Sequence, residues 1–203
     1  MGRTATFERK SKETEIKAKV NIDGKGIGNK IKTNIGILDH MLELFAFHGL
    51  FDIELEVKKA DLQIDIHHTN EDIGIVLGKA FKQALGKMAG IKRFGSGFSP
   101  MESTLGRTVI DLSGRGYLTL QVTDPAPHIK DQEGYSMSYL EHFLESFAHN
   151  LGATIHITIE NASEDLHTTI ETVFKSLGLA LDEATQIDPR RKGVVPSTKG
   201  IID

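Results

Sequence analysis

Apolar residues along this chain recur with two different periods, and the switch between them marks out the elements. Residues 4–8 and 15–22 alternate apolar and polar side chains, as half-buried strands do, and Asp23-Gly24-Lys25-Gly26 then supplies hairpin-turn chemistry. Residues 38–50 carry apolar side chains three and four apart, which predicts an amphipathic helix. Asp52 to Lys59 sets Ile53, Leu55 and Val57 against acids, a further strand. From Thr69 to Met88, the residues Ile73, Val76, Leu77, Ala80, Phe81, Ala84 and Leu85 line one face of a longer helix. The succession then starts again, with strands near 105–112 and 117–123, a helix over 137–151, a strand over 154–160 and a helix over 169–186. Pro125, Pro127 and Gly134 punctuate a long loop before the third helix, and Arg190 to Asp203 reads as an extended tail.

The recurrence extends to individual residues. Leu38, His40, Leu42, Glu43, Phe45 and Ala46 match Leu140, His142, Leu144, Glu145, Phe147 and Ala148; Asp65, His67, Thr69, Glu71, Leu77 and Gly78 match Asp165, His167, Thr169, Glu171, Leu177 and Gly178. Helical periodicity alone would align the leucines and alanines but not the histidines and glutamates. The prediction is an α+β fold made of a tandem repeat of two similar halves, each a small, mainly antiparallel sheet with two helices on one face. The halves are expected at 1–92 and 93–187, with a C-terminal tail at 188–203, in one compact unit. Each sheet would leave its other face open unless the halves pack on each other.

Composition narrows the chemistry. A chain of 203 residues suffices for one sizeable core. Cysteine is absent, which excludes a disulfide scaffold, a thiolate zinc site and a cysteine nucleophile. The net charge of −4 gives no reason to expect nucleic acid or an anionic membrane as partner. No apolar run approaches the roughly 20 residues of a membrane helix. The polar, acid-bearing N-terminus does not read as a leader, so a cytoplasmic location is expected.

The motif that carries most information is His67-His68-Thr69-Asn70-Glu71-Asp72, largely repeated as His167-Thr168-Thr169-Ile170-Glu171. A His and a Glu four apart on a helix share a face about one turn apart and can grip one metal ion. His68 projects roughly 100° away around the helix and must serve a second centre or another chain. The plainer alternative is that Thr69, Asn70, Glu71 and Asp72 only cap a helix start, but a cationic His is disfavoured there. His40 and His142, at matching places in the shorter helices, join the candidate ligands. A donor set of imidazole and carboxylate without thiolate suits manganese, iron, zinc or cobalt. Arg93, Arg107, Arg115, Arg190, Arg191 and Lys199 are candidates for holding an anion. Arg115, in Ser113-Gly114-Arg115-Gly116, is the strongest of these, because turn amides and a guanidinium can converge on a phosphate there. Ser197-Thr198-Lys199-Gly200 resembles a small phosphate loop, while His128, His149 and His156 read as structural or surface residues.

With these residues in hand the chain resembles the imidazoleglycerol-phosphate dehydratase family over nearly its whole length. The resemblance rests on Lys12-Glu13-Thr14, Leu38-Asp39-His40-Met41-Leu42, His48-Gly49, residues 67–74, Arg93-Phe94-Gly95, Pro100-Met101, residues 109–115, residues 166–171 and residues 196–200, in the family's order and spacing. It implies a hydro-lyase of histidine biosynthesis that dehydrates imidazoleglycerol phosphate to imidazoleacetol phosphate. It further implies two divalent ions per chain, usually manganese, bound between the subunits of a 24-subunit shell. By the same resemblance His40, His67, His68, Glu71, His142, His167 and Glu171 are metal ligands. Arg93, Arg115, Ser197, Thr198 and Lys199 hold the substrate phosphate, and Glu171, Glu13 and His48 are the candidates for moving protons.

The chain departs from the family pattern at Ile66, at Glu102-Ser103, at Gly116 and at Thr168. The last replaces the second His of the downstream pair and removes a ligand. Each ion is expected to take one His/Glu pair, one His from a shorter helix and the second His of a neighbour's pair, so one site should have four protein ligands and the other three. The alternative function is a metal-binding shell with impaired or no turnover; the intact Arg93, Arg115 and Lys199 favour the enzyme.

Overall fold

The computed structural model describes residues 2–123, 127–191 and 193–202; Pro125, expected in the long loop, lies outside them, as do Lys192 and Asp203 of the tail. Its order is β1 (Thr4–Lys10), β2 (Glu15–Asn21), β3 (Lys30–Lys32), α1 (Gly36–His48), β4 (Asp52–Lys59), α2 (Ile66–Leu85), β5 (Phe94–Met101), β6 (Thr104–Asp111), β7 (Tyr117–Val122), α3 (Met137–Leu151), β8 (Thr154–Glu160) and α4 (Leu166–Thr185), then a 3-10 turn at Pro189–Arg191. Two four-stranded sheets result, ordered β1-β2-β4-β3 and β5-β6-β8-β7. In each, one strand is parallel to its neighbour, β3 to β4 and β7 to β8, while the other pairs are antiparallel. The mixed sheets with two helices per half agree with the expected α+β tandem repeat.

The helices form a middle layer between the sheets, and they pair across the halves: α2 lies chiefly on α3, and α1 on α4. Equivalent glycines set both contacts. A Cβ on Gly78 would stand 2.7 Å from the Phe147 carbonyl oxygen, and one on Gly178 would stand 2.6 Å from that of Phe45. Only a residue without a side chain lets the backbones approach so closely. Phe45, Phe81 and Phe147 meet at this crossing with ring centroids 5.8 to 6.1 Å apart, and all three are buried. Each sheet keeps an exposed outer face, as its alternating burial records.

Two strands escape the periodicity. The first, β3, has three residues and too little pattern to read. The second, β5, has the sequence Phe-Gly-Ser-Gly-Phe-Ser-Pro-Met, which looks like a loop. Its glycines face α4: a Cβ on Gly95 or Gly97 would lie 2.0 or 2.1 Å from a carbonyl oxygen of that helix. Helix starts also differ from expectation. The N-caps are Asp65 and Asp165, whose carboxylates accept from His67 N at 3.0 Å and Thr168 N at 2.8 Å. Thr69, Asn70 and Asp72 are therefore inside the helix and buried, with tertiary partners instead of capping roles. Asn70 bonds Tyr135 and the Tyr139 carbonyl, and Asp72 takes Thr14 and Arg9. No helix among the described residues is long and apolar enough to cross a membrane.

Candidate metal centres and phosphate pocket

Because the helices pair across the halves, each His/Glu pair meets the short-helix histidine of the other half. On the α1–α4 side stand His40, His167 and Glu171, with potential donor atoms within 4.8 Å of one another. His167 Nε2 is 3.1 Å from Glu171 Oε2 and His40 Nε2 is 3.8 Å from it, with the two rings stacked at 5.1 Å. Burial alone would raise the Glu171 carboxyl, but the Lys175 ammonium, one turn on and in contact with Oε1, together with His167 holds it below the usual range. His48 faces the same group; burial and then the Lys175 charge push its imidazole down.

On the α2–α3 side stand His67, Glu71 and His142. The Nδ1 atoms of His67 and His142 are 2.9 Å apart, with rings nearly perpendicular at 87°, and His67 Nε2 lies 3.6 Å from Glu71 Oε2. Two imidazole nitrogens bound side by side to one divalent ion at roughly 2.1 Å each stand about 3 Å apart, so this donor pair fits a cation. Each helix thus sets a His beside the Glu one turn on, and the opposite half adds His40 to the Glu171 group on one side and, on the other, His142 facing His67 Nδ1 while Glu71 lies on the Nε2 side of that ring.

His68 belongs to neither group. Its Nδ1 faces Asp61 Oδ2 at 3.1 Å, and a carboxylate oxygen of Glu13 completes a cluster within 4.8 Å. The hydrogen bond to Asp61, with a smaller contribution from Glu13, raises the His68 imidazole above its ordinary value.

The anion candidates separate cleanly. A pocket of about 150 Å³ is lined by Arg93, Ser113, Arg115, Ser197, Thr198 and Lys199, with Ile201 and Ile202. Larger hollows lie elsewhere, one of them over the lysines of the first sheet, but this is the one that gathers the predicted phosphate residues. Arg93 sits at a positive φ of 78° and is tied by two bonds to Asp111 (2.6 and 3.1 Å) and by a third to the Pro196 carbonyl (2.9 Å). Asp111 raises its guanidinium further, and the third bond makes Arg93 a clamp on the tail as well as a wall of the pocket. Arg115 and Lys199 have no ion-pair partner among the described residues and are exposed. The Ser113 and Ser197 hydroxyls accept from the amides of Arg115 and Lys199, both at 3.2 Å, which shapes the two turns. Arg107, Arg190 and Arg191 are paired with Glu160 or Asp188 and do not line this pocket. His128 and His156 are exposed, and His149 bonds the Glu145 carbonyl.

Sequence reasoning overlooked Asp61, Asp111 and Lys175. Lys175 was detectable as the cation one turn beyond Glu171; Asp61 and Asp111 sit in loop and strand contexts where nothing local marks them.

Fold and site together describe an α+β tandem-repeat protein with one converging imidazole–carboxylate group, a second pair of facing histidines beside a glutamate, and a separate pocket lined by cationic side chains. The family model for imidazoleglycerol-phosphate dehydratase matches residues 33–181. The imidazoleglycerol-phosphate dehydratase of Pelobacter propionicus is 48% identical over 202 residues, covering 100% of both chains. That of Methanocella arvoryzae is 46% identical, covering 98% of this chain and 100% of the relative. Among solved structures, IGPD from Pyrococcus furiosus in complex with (S)-C348 is similar with a TM-score of 0.78 and 36% identity, covering 96% of this chain and 99% of that one. The enzyme from Staphylococcus aureus has a TM-score of 0.76 at 28% identity, covering 90% and 99%. The chain belongs to the imidazoleglycerol-phosphate dehydratase family.

Proposed function

We propose that this chain catalyses the loss of water from imidazoleglycerol phosphate to give imidazoleacetol phosphate, a hydro-lyase step of histidine biosynthesis in the cytoplasm. The observation that carries the reading is the coexistence, in a chain that aligns over its whole length with family members, of the His40–His167–Glu171 group, the facing His67 and His142 beside Glu71, and a pocket lined by Arg115 and Lys199, cations with no ion-pair partner among the described residues. His40, His167 and Glu171 would hold one divalent ion, and His67, Glu71 and His142 the other. With no thiolate available, the donor sets suit manganese, iron, zinc or cobalt, and manganese is proposed because it is the family's usual ion. His68 of a neighbouring chain completes a centre, which makes the working form an assembly, for which the family's 24-subunit shell is the natural candidate. Thr168 cannot do the same for the second centre, since a neutral hydroxyl is a much weaker donor than imidazole.

The bound ions would supply Lewis acidity toward the substrate imidazole. The chain's own residues do the rest. Arg115, Lys199 and the Ser197 and Thr198 turn grip the phosphate, with Arg93 keeping the tail in place, and so fix the carbon chain relative to the centres. The hydroxyl leaves from the carbon beside the ring, and a proton leaves the next carbon. The resulting enol takes up a proton on carbon to give the ketone. Glu171 is anionic because Lys175 and His167 stabilise its charge, and it serves first as a ligand. Glu13 and His48 are the proton carriers; His48, kept neutral by burial and the Lys175 charge, has a free lone pair to accept with.

A second reading has one observation behind it: Thr168 leaves a centre one ligand short, which favours a metal-holding relative with impaired turnover. A steady-state assay for the ketone product, with and without added manganese, separates the two. Manganese-dependent turnover is expected; a folded, metal-loaded protein with no turnover would establish the second reading.

A further inference from the structure

His68 is the one histidine of the upstream motif whose ring turns away from its own chain's centre. His67 and His68 ring centroids are 5.7 Å apart at 71°, so the two imidazoles address different directions. Among the described residues the His68 ring makes one hydrogen bond, Nδ1 to Asp61 Oδ2 at 3.1 Å. That Asp61 side chain is only 12% exposed, and among the described residues His68 is its sole hydrogen-bond partner. The turn around Asp61 is secured without its carboxylate. Its amide donates to Thr69 Oγ1 at 3.0 Å, and its carbonyl accepts from Ile64 N at 3.1 Å and Asp65 N at 3.3 Å. A carboxylate of low exposure, unneeded by its own turn and directed at one ring nitrogen, has a specific consequence for that ring. With a proton on Nδ1 donated to Asp61, the lone pair lies on Nε2, which makes no hydrogen bond among the described residues and is left to bind a cation.

The repeat supplies a second argument. The register that sets His67 and Glu71 against His167 and Glu171 sets Asp61 against Asn161 and His68 against Thr168. One half has both the carboxylate and the imidazole; the other has neither. Asn161 also does something different, holding Thr104 through its backbone carbonyl.

We infer that Asp61 is a positioning residue: it fixes the tautomer and direction of His68 so that Nε2 is presented to an ion held by the neighbouring subunit. The inference rests on the shared-centre reading above. It makes Asp61 serve the four-ligand ion only, because the other centre has Thr168 in place of the incoming His.

The test uses the full-length protein stripped with chelator and titrated calorimetrically with manganese alone. Asp61→Leu and Asp61→Ala, which remove the acceptor, should weaken the tighter of the two ions by about 10- to 100-fold and leave the looser one unchanged. Asp61→Asn retains a carbonyl oxygen that accepts from Nδ1–H and should recover most of the affinity, which a merely structural role for the charge would not allow. His68→Ala, run in parallel, should abolish the tight ion and lower the mass seen in native mass spectrometry. If His68→Ala loses the tight ion while both acceptor-free variants bind as the parent does, the role of Asp61 is refuted. The same holds if Asp61→Asn is as weak as Asp61→Leu. If His68→Ala itself binds both ions unchanged, the shared-centre reading is what fails.

Discussion

Replacing Gly97 by Ala tests whether the close seating of α4 on the second sheet positions the α1–α4 centre. A Cβ at Gly97 would lie 2.1 Å from the Ser176 carbonyl oxygen, 2.9 Å from Ala180 N and 3.0 Å from Leu179 Cβ. Two of these three atoms are helix backbone and cannot rotate aside. An ordinary carbon–oxygen contact needs more than 3 Å, so α4 must retreat by about 1 Å or the strand must bend. Overpacking of this kind costs roughly 1–3 kcal/mol, and a backbone obstacle argues for the upper end. Ala in a strand regains roughly 0.5–1 kcal/mol over Gly through chain entropy. The net loss is about 2 kcal/mol, which lowers Tm by roughly 4–8 °C for a chain of this size. His167 and Glu171 ride on α4, so the same retreat should weaken manganese binding at that centre. Gly36→Ala is the control, since a Cβ there meets nothing within 4 Å at the first residue of α1. Thermal melts of both variants without metal, followed by manganese titration, give the answer. A Gly97→Ala protein that melts with the parent and binds manganese equally would refute the argument that backbone contact seats the helix.

The remaining predictions concern the site and the tail. Arg115→Ala should raise KM for the phosphate substrate by about 10- to 100-fold with the melting curve unchanged, because a charge-assisted contact of roughly 1.5–3 kcal/mol is lost from an exposed turn residue; an unmoved KM would show that Arg115 does not touch phosphate. Thr168→His should tighten the looser manganese ion by at least on the order of tenfold, since even outer partners of metal ligands are worth that much, and should raise turnover; two equal ions in the parent protein would contradict it. Asp188 is held down to about 2 from 3.8 by hydrogen bonds from the Arg190 side chain and amide. Its folded pKa is depressed, so its contribution to stability is complete above the unfolded value and is lost as pH falls from about 4 towards 2. Asp188→Asn should therefore melt below the parent at pH 6 and converge with it near pH 2, and a gap that persists unchanged to pH 2 would rule this out.

The linear pattern of the chain determined a good deal of this protein. Periodicity placed four helices, because an apolar stripe recurring at three and four over several turns can be buried on one side only if the segment is helical. The paired recurrence of His and Glu foretold which imidazoles and carboxylates stand side by side, because residues four apart on a helix meet whatever the helix packs on. The residues expected to hold a phosphate, Arg93, Arg115 and Ser197 to Lys199, lie along one pocket. Strand β5 was not readable, because its glycines serve a helix more than seventy residues away and leave no local alternation to read.

What only the tertiary structure decided is which donors share a centre. The sequence presents two equivalent halves, each with a short helix bearing one His and a long helix bearing a His/Glu pair, and the simplest grouping keeps each half to itself. Packing overrides that grouping. Gly78 against the Phe147 backbone and Gly178 against the Phe45 backbone bring each long helix onto the short helix of the other half, because a contact made without a Cβ is the closest available there. His40 therefore joins His167 and Glu171, and His142 faces His67, on the ring nitrogen opposite the one nearest Glu71. The direction of His68, set by a carboxylate in the preceding turn, likewise depends on a distance between side chains that no periodicity encodes.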